Sequence, residues 1–189
     1  GVMVGLVRSV GGLFYGPVST ELGVSVGEFG VYMTFVYALS FLTLSVAGKL
    51  LDKYSARWLL TLSAATVGAL YMGMSQFNVV WHFYVAGALI GIAFSFLLYL
   101  SYPVLINRWF NTRVGFFIGI CSAASGVGGV LFNPLGGYLI QAHGWRTTYL
   151  VFGAIILLGV TPLLGLLLRD HPSDKGLKAF GEKADEIAA

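Results

Sequence analysis

The feature that most constrains this chain is a succession of apolar stretches, nearly free of charge and each about 20 residues long, the length a membrane-crossing helix needs. Six can be read between polar breaks, near Gly1–Ser19, Phe29–Ala47, Trp58–Phe77, Phe83–Ile106, Val114–Gln141 and Thr148–Leu168. A helix rising about 1.5 Å per residue crosses the roughly 30 Å hydrocarbon core in that length. Barrel strands would instead show about ten residues of strict alternation. Only 10% of the 189 residues are charged and 57% are hydrophobic, whereas a soluble domain carries about 25% charged residues. Such a chain lacks the polar surface to cover itself. The expected fold is all-α: a polytopic membrane protein, one six-transmembrane-helix bundle over residues 1–168. The polar segment 169–189 reads as a cytoplasmic tail or linker.

The basic residues orient the bundle. Lys49, Lys53 and Arg57 lie between spans two and three, Arg108 and Arg113 between spans four and five, and Arg169, Lys175, Lys178 and Lys183 in the tail. The other side offers only Arg146, with the acids Glu21 and Glu28. Excess Lys and Arg marks the cytoplasmic face, so both termini are expected inside a plasma membrane (the inner membrane of a bacterial cell). That placement accounts for a pI near 9.0 without any nucleic-acid partner. No short apolar core with a small-residue cleavage site, the mark of a secretory signal, is visible. Cys121 is the one cysteine; it falls mid-span, permits no internal disulfide and reads as a small buried apolar residue.

No catalytic constellation appears. His82, His143 and His171 sit at span edges, in loops or in the tail, without partners at metal-ligand spacing. An intramembrane serine protease would want G-x-S-G, but Ala123 and Ala124 precede Ser125, and no later span holds a histidine to act as base. A phosphate loop is missing as well. The chain is therefore not expected to be an enzyme, nor to hold a metal or cofactor.

Binding candidates come from polar residues inside the spans. Arg8 is the charge most clearly placed there, about 16 Å inward from Ser19 at helical rise. An arginine at that depth costs several kcal/mol unless it meets water, a partner or a ligand. Arg8, Gly12, Tyr15 and Ser19 share one helical face, which suits an organic anion; snorkelling to headgroups is the competing reading. On span four Ser95, Tyr99 and Tyr102 share a face, with Tyr99 assigned to a central cavity and Tyr102, beside Pro103, to an interfacial aromatic belt. Ser122, Ser125, Asn133, Tyr37 and Ser40 are weaker candidates, each more often an interhelical hydrogen-bond donor. The glycines of span five, Gly115, Gly119, Gly126, Gly129 and Gly136, suit close helix approach, and Pro134 can kink that helix into a gate.

Two stretches carry a resemblance. Gly48-Lys-Leu-Leu-Asp52-Lys53-Tyr-Ser55-Ala56-Arg57 resembles the G-x-L-x-D-R-x-G-R-R loop of the major facilitator superfamily, with Ser55 and Ala56 departing from it. A carboxylate among cations at a membrane surface can cap a helix or pair with arginine, a contact made and broken as two bundles rock. Gly48, Asp52, Lys53 and Arg57, with Arg113 and Pro134, are thus the candidates for conformational gating. The second stretch runs from Arg108-Trp109-Phe110 and Arg113 through Ser125-Gly126-Val-Gly128-Gly129 and Asn133-Pro134-Leu-Gly136-Gly137 to Gly144-Trp145-Arg146. This succession is similar to the monocarboxylate-porter and oxalate/formate-antiporter branch. The resemblance implies the N-terminal six-helix half of a twelve-helix transporter, with a C-terminal half, a lipid bilayer and a small organic anion as partners. Arg8, Tyr15, Ser95, Tyr99 and Asn133 become the substrate-binding candidates. The alternative is a structural or receptor-like bundle that transports nothing. No Asp or Glu lies inside a span, so proton coupling would find no carboxylate carrier in these six helices.

Overall fold

The computed structural model describes residues 10–100, 105–107, 109–110 and 112–168. Arg8, Tyr102, Arg108 and the segment 169–189 lie outside the described residues, and of Tyr99 only the backbone is described. A 3-10 turn, Gly11–Phe14, leads into α1 (Tyr15–Leu22), followed by α2 (Val26–Lys53), α3 (Ala56–Met74) and α4 (Val80–Phe94), which continues as a π-helical turn, Ser95–Leu100. The helical stretch Val114–Ala154 is two helices meeting at Gly144, whose φ of 79° and ψ of 165° reverse the chain. We label them α5 (114–143) and α6 (145–167), the latter including a π turn, Ile155–Val160, and a last turn, Thr161–Leu167.

The helix ends follow from local chemistry. Gly23 closes α1 in the left-handed conformation that a side chain disfavours. Ser25 caps α2 by accepting from the Glu28 N–H at 3.1 Å, and Glu28 supplies the acid of the first turn. Gly144 adopts a backbone conformation essentially restricted to glycine. Sequence patterning ended span five at Gln141 and began span six at Thr148. The helices instead run on to meet at Gly144, because Trp145 and Arg146 find polar partners across the bundle and need no loop to reach water.

Packing between helices rests on backbone approach. α2 lies along α4, where a Cβ on Gly87 would stand 2.7 Å from the Tyr32 carbonyl oxygen and one on Gly91 2.4 Å from that of Val36. Ser40, fully buried, donates to the carbonyls of Val36 at 2.7 Å and Gly91 at 2.8 Å, stitching the two helices. Ser40→Ala should remove that stitch and lower stability by about 1 kcal/mol; thermal unfolding in detergent, against a Thr66→Ala control on an exposed intrahelical bond, measures it. α3 and α6 meet at Gly68 and Gly153, where a Cβ on Gly153 would sit 2.8 Å from the Gly68 carbonyl.

The glycines of α5 divide. Gly129 is buried and Gly136 faces Leu13 and Phe152, as close approach requires. Gly115, Gly119 and Gly126 have open space where a Cβ would go. Among the described residues these three meet no neighbouring helix. Pro134 lies within helical backbone, and the non-helical φ and ψ of this stretch fall at Gly144.

Candidate functional site

Among the described residues, two clusters of polar and aromatic side chains stand out. The first is a tyrosine cluster. Tyr32 from α2, Tyr71 from α3 and Tyr149 from α6 line a cleft closed by Met33, Val36, Met74, Ile90 and Phe94. Its free space, about 10 Å³, admits at most one water molecule. Tyr149 stacks on Phe14 with ring centroids 3.8 Å apart and meets Tyr71 edge-on at 5.5 Å. Tyr15 of α1 closes the cluster from the side, edge-on to Phe29 at 5.8 Å and to Tyr32 at 6.1 Å. Aromatic edges and faces in these arrangements attract beyond simple burial.

Tyr15 is thus the substrate-binding candidate that the fold brings beside further phenols. Ser95 is fully buried and gives its hydroxyl to the Ile92 carbonyl at 2.7 Å within its own helix. Asn133 on α5 holds a buried amide oxygen that finds no partner among the described residues; such an acceptor calls for a donor from water or ligand. Tyr37 is exposed, and Ser125 donates to Cys121 one turn back. Cys121 itself is half-buried, less enclosed than its place mid-span implied.

The second place is the bundle end opposite the 49–57 loop. Trp145 Nε1 donates to Glu21 Oε2 at 2.5 Å, while Arg146 Nε and Nη2 both reach Glu21 Oε1, at 3.1 and 2.9 Å. Arg146 also donates to the carbonyls of Ser75 at 2.8 Å and Phe77 at 3.2 Å and to Asn78 Oδ1 at 2.8 Å. Its guanidinium lies 4.3 Å from the Trp145 ring centroid, a cation–π contact. The indole and the guanidinium hold the Glu21 carboxyl below its usual range. One node therefore ties the ends of α1, α3 and α6. Sequence reading marked these residues only as loop charges and a turn motif. Their convergence was not legible because the partners are more than sixty residues apart.

At the 49–57 end, Asp52 and Lys53 are exposed, and Asp52 pairs with no described cation. Lys53 leans over Tyr54 at 5.6 Å. Arg57 donates to the Gly165 carbonyl near the end of α6 and stacks 5.4 Å from the Trp58 ring centroid. Gly48 has open space around its Cβ position. Arg113, exposed, starts α5 in the left-handed region with φ 56°, and its carbonyl accepts from Phe116 and Phe117.

A sequence model of the Major Facilitator Superfamily matches residues 1–189. The chain belongs to the Major Facilitator Superfamily. Members of this superfamily are membrane transporters and not enzymes, so this superfamily chain is a multi-pass helical membrane protein. It is similar to the oxalate:formate antiporter of Oxalobacter formigenes, 26% identical over 170 residues, covering 88% of this chain and 39% of that protein. The uncharacterized MFS-type transporter YhjX of Escherichia coli is 28% identical over 170 residues, 86% of this chain and 40% of its own length. Monocarboxylate transporter 3 of Gallus gallus is 29% identical over 109 residues, 58% of this chain and 19% of its own. This superfamily chain thus spans two fifths or less of the curated relatives it matches.

Proposed function

We propose that this chain is the N-terminal half of a secondary active transporter that moves a small organic anion, a monocarboxylate or dicarboxylate, by alternating access. The observation that carries this reading is the match to the oxalate:formate antiporter, which runs through 88% of this chain yet only 39% of that protein, the share that one six-helix half would occupy. Alternating access needs a second bundle rocking against the first around a midplane site. The outward face of α5, with Gly115, Gly119 and Gly126 free of neighbours, suits close contact with such a C-terminal half. The 49–57 loop would lie on the cytoplasmic side of a plasma membrane, with both ends of the six-helix unit inside and residues 169–189 opening the central linker.

In this reading Arg8 supplies the positive charge for the anion. Tyr15, Tyr99 and Ser95 line its path, and Asn133 offers the N–H donors of its amide, its unpartnered oxygen being left for water. Gly48, Asp52, Lys53, Arg57, Arg113 and Pro134 serve the rocking motion; exposed Asp52 is available to a cation of the second bundle.

The experiment is uptake and binding by the full-length parent, competed with a panel of small carboxylates. Arg8→Ala should weaken binding of the competing anion by about 1.5–3 kcal/mol, on the order of 10- to 150-fold. Arg8→Lys should recover part of it by charge while losing the planar fork. Unchanged affinity and rate in Arg8→Ala at matched surface expression would return Arg8 to the lipid headgroups.

A further inference from the structure

Helices α3 and α6 run antiparallel, and contacts at three levels hold one register. Arg57, in the first turn of α3, donates to the Gly165 carbonyl near the end of α6. Arg146, just past the turn that starts α6, donates to the carbonyls of Ser75, the C-cap of α3, and Phe77, in the loop that follows it. Midway, Gly68 and Gly153 bring the two backbones together, with a Cβ on either glycine falling 3.2 Å or less from the other's carbonyl oxygen. Each arginine also lies against the tryptophan next to it in sequence.

The chemistry at both ends is the same. The last carbonyls of a helix have no partner within it and carry its negative dipole end. A guanidinium presents several N–H donors in a rigid fork and pairs well with them. In lipid, where water is scarce, such contacts close a helix pair at its two ends while the glycines close it in the middle.

The two ends differ in one respect. At the Arg146 end the arginine shares a carboxylate from a third helix: Glu21, just before the close of α1, takes two bonds from Arg146 and one from Trp145. We propose that α3 and α6 form one rigid strut, fastened at each end by an arginine on carbonyls at or just past the other helix's end, and that Glu21 is the ionic tether by which this strut holds α1 in place. The proposal concerns how the six-helix unit moves and holds whatever the unit carries. α1 is then the element able to shift against an unmoving α3–α6 pair, and the tether sets how readily it does so.

The two functions separate cleanly in the full-length protein, reconstituted in nanodiscs with Cys121 and any other reactive cysteine replaced by Ser. Ser19, buried on α1 with its hydroxyl turned back to the Gly16 carbonyl, becomes a reporter of α1 as Ser19→Cys, read by its rate of reaction with a polar maleimide. The pair Thr61→Cys and Gly165→Cys reports the strut, since a Cβ at Gly165 would lie 3.5 Å from the Thr61 methyl carbon, within reach of a disulfide; its rate of oxidative cross-linking is the second readout. Glu21→Ala should raise Ser19→Cys labelling about tenfold or more and leave the cross-linking rate unchanged; Glu21→Gln, which keeps an acceptor for the Trp145 indole, should fall between Glu21→Ala and the parent. Arg57→Ala should slow cross-linking several-fold and leave Ser19→Cys protected. Protection of Ser19→Cys in Glu21→Ala overturns the tether. A rise in labelling together with a loss of cross-linking in both variants overturns the strut, because the whole bundle would then be loosening as one.

Discussion

Valine at Gly91 should prevent α2 and α4 from packing and leave the six-helix unit misassembled or strongly destabilised. The Cβ alone would fall 2.4 Å from the Val36 carbonyl oxygen and 3.0 Å from the Leu39 Cβ, against backbone that has no slack. Separating the helices to admit it would also break the Ser40 bond to the Gly91 carbonyl. Overpacking of this kind costs about 1–3 kcal/mol, and loss of the Ser40 bond adds about 1 kcal/mol, the Gly91 carbonyl keeping the Ser95 N–H of its own helix. A total of about 2–4 kcal/mol lies at the upper end of what a point substitution costs. Gly159→Val, where a Cβ meets nothing within 4 Å, is the matched control. Fluorescence-detected size exclusion after heating compares them: Gly91→Val should aggregate well below the parent, and Gly159→Val close to it. Equal behaviour of the two would show that α2 and α4 do not approach through Gly91.

Arg146→Ala should be the most damaging change to a charged residue. It removes the donor to the carbonyls of Ser75 and Phe77 just past α3, to Asn78 and to Glu21 at once. Hydrogen bonds from a charged group are worth about 1.5–3 kcal/mol each when buried. The guanidinium is a third exposed and Glu21 half exposed, so the whole node is expected to contribute about 2–4 kcal/mol, with the ion pair itself a small part. Glu21 also gives the node a pH dependence of definite sign. Its carboxyl titrates lower in the folded protein than in the unfolded chain because Trp145 and Arg146 donate to the charged form. Its contribution is therefore complete above the ordinary Glu value of about 4.3 and is lost as pH falls through the lowered folded value. Melting temperatures of the parent and Glu21→Gln should differ at pH 7, begin to approach one another as pH falls below about 4.3, and meet only below the lowered folded value. A gap that persists into that acid range would mean that Glu21 acts by shape and not by charge.

Much of the fold is written in one dimension. Apolar length against bilayer thickness gives the spans, and Gly144-Trp145-Arg146 and the 48–57 loop carry the family's mark. Those signals are local, so reading along the chain finds them. Which face of each helix turns inward is not local in the same way. A soluble helix reveals its buried stripe by polar residues opposite, but here lipid makes the outer face as apolar as the inner one. Exposed Phe41, Leu42, Leu131 and Val130 are no less hydrophobic than buried Phe29 or Leu60. Gly87 and Gly91 look no different along the chain from Gly115 and Gly119, yet only the first two meet a neighbouring backbone. The same holds for the polar residues. Tyr32, Tyr71 and Tyr149 are unremarked phenols on three helices until the bundle closes them around one cleft. The sequence alone determined that the chain crosses a membrane as helices and to which superfamily it belongs. The tertiary structure decided which glycines are contacts and which arginine holds which helix end, because those depend on helix rotation and register, and a hydrophobic period says little about either once the solvent itself is hydrophobic.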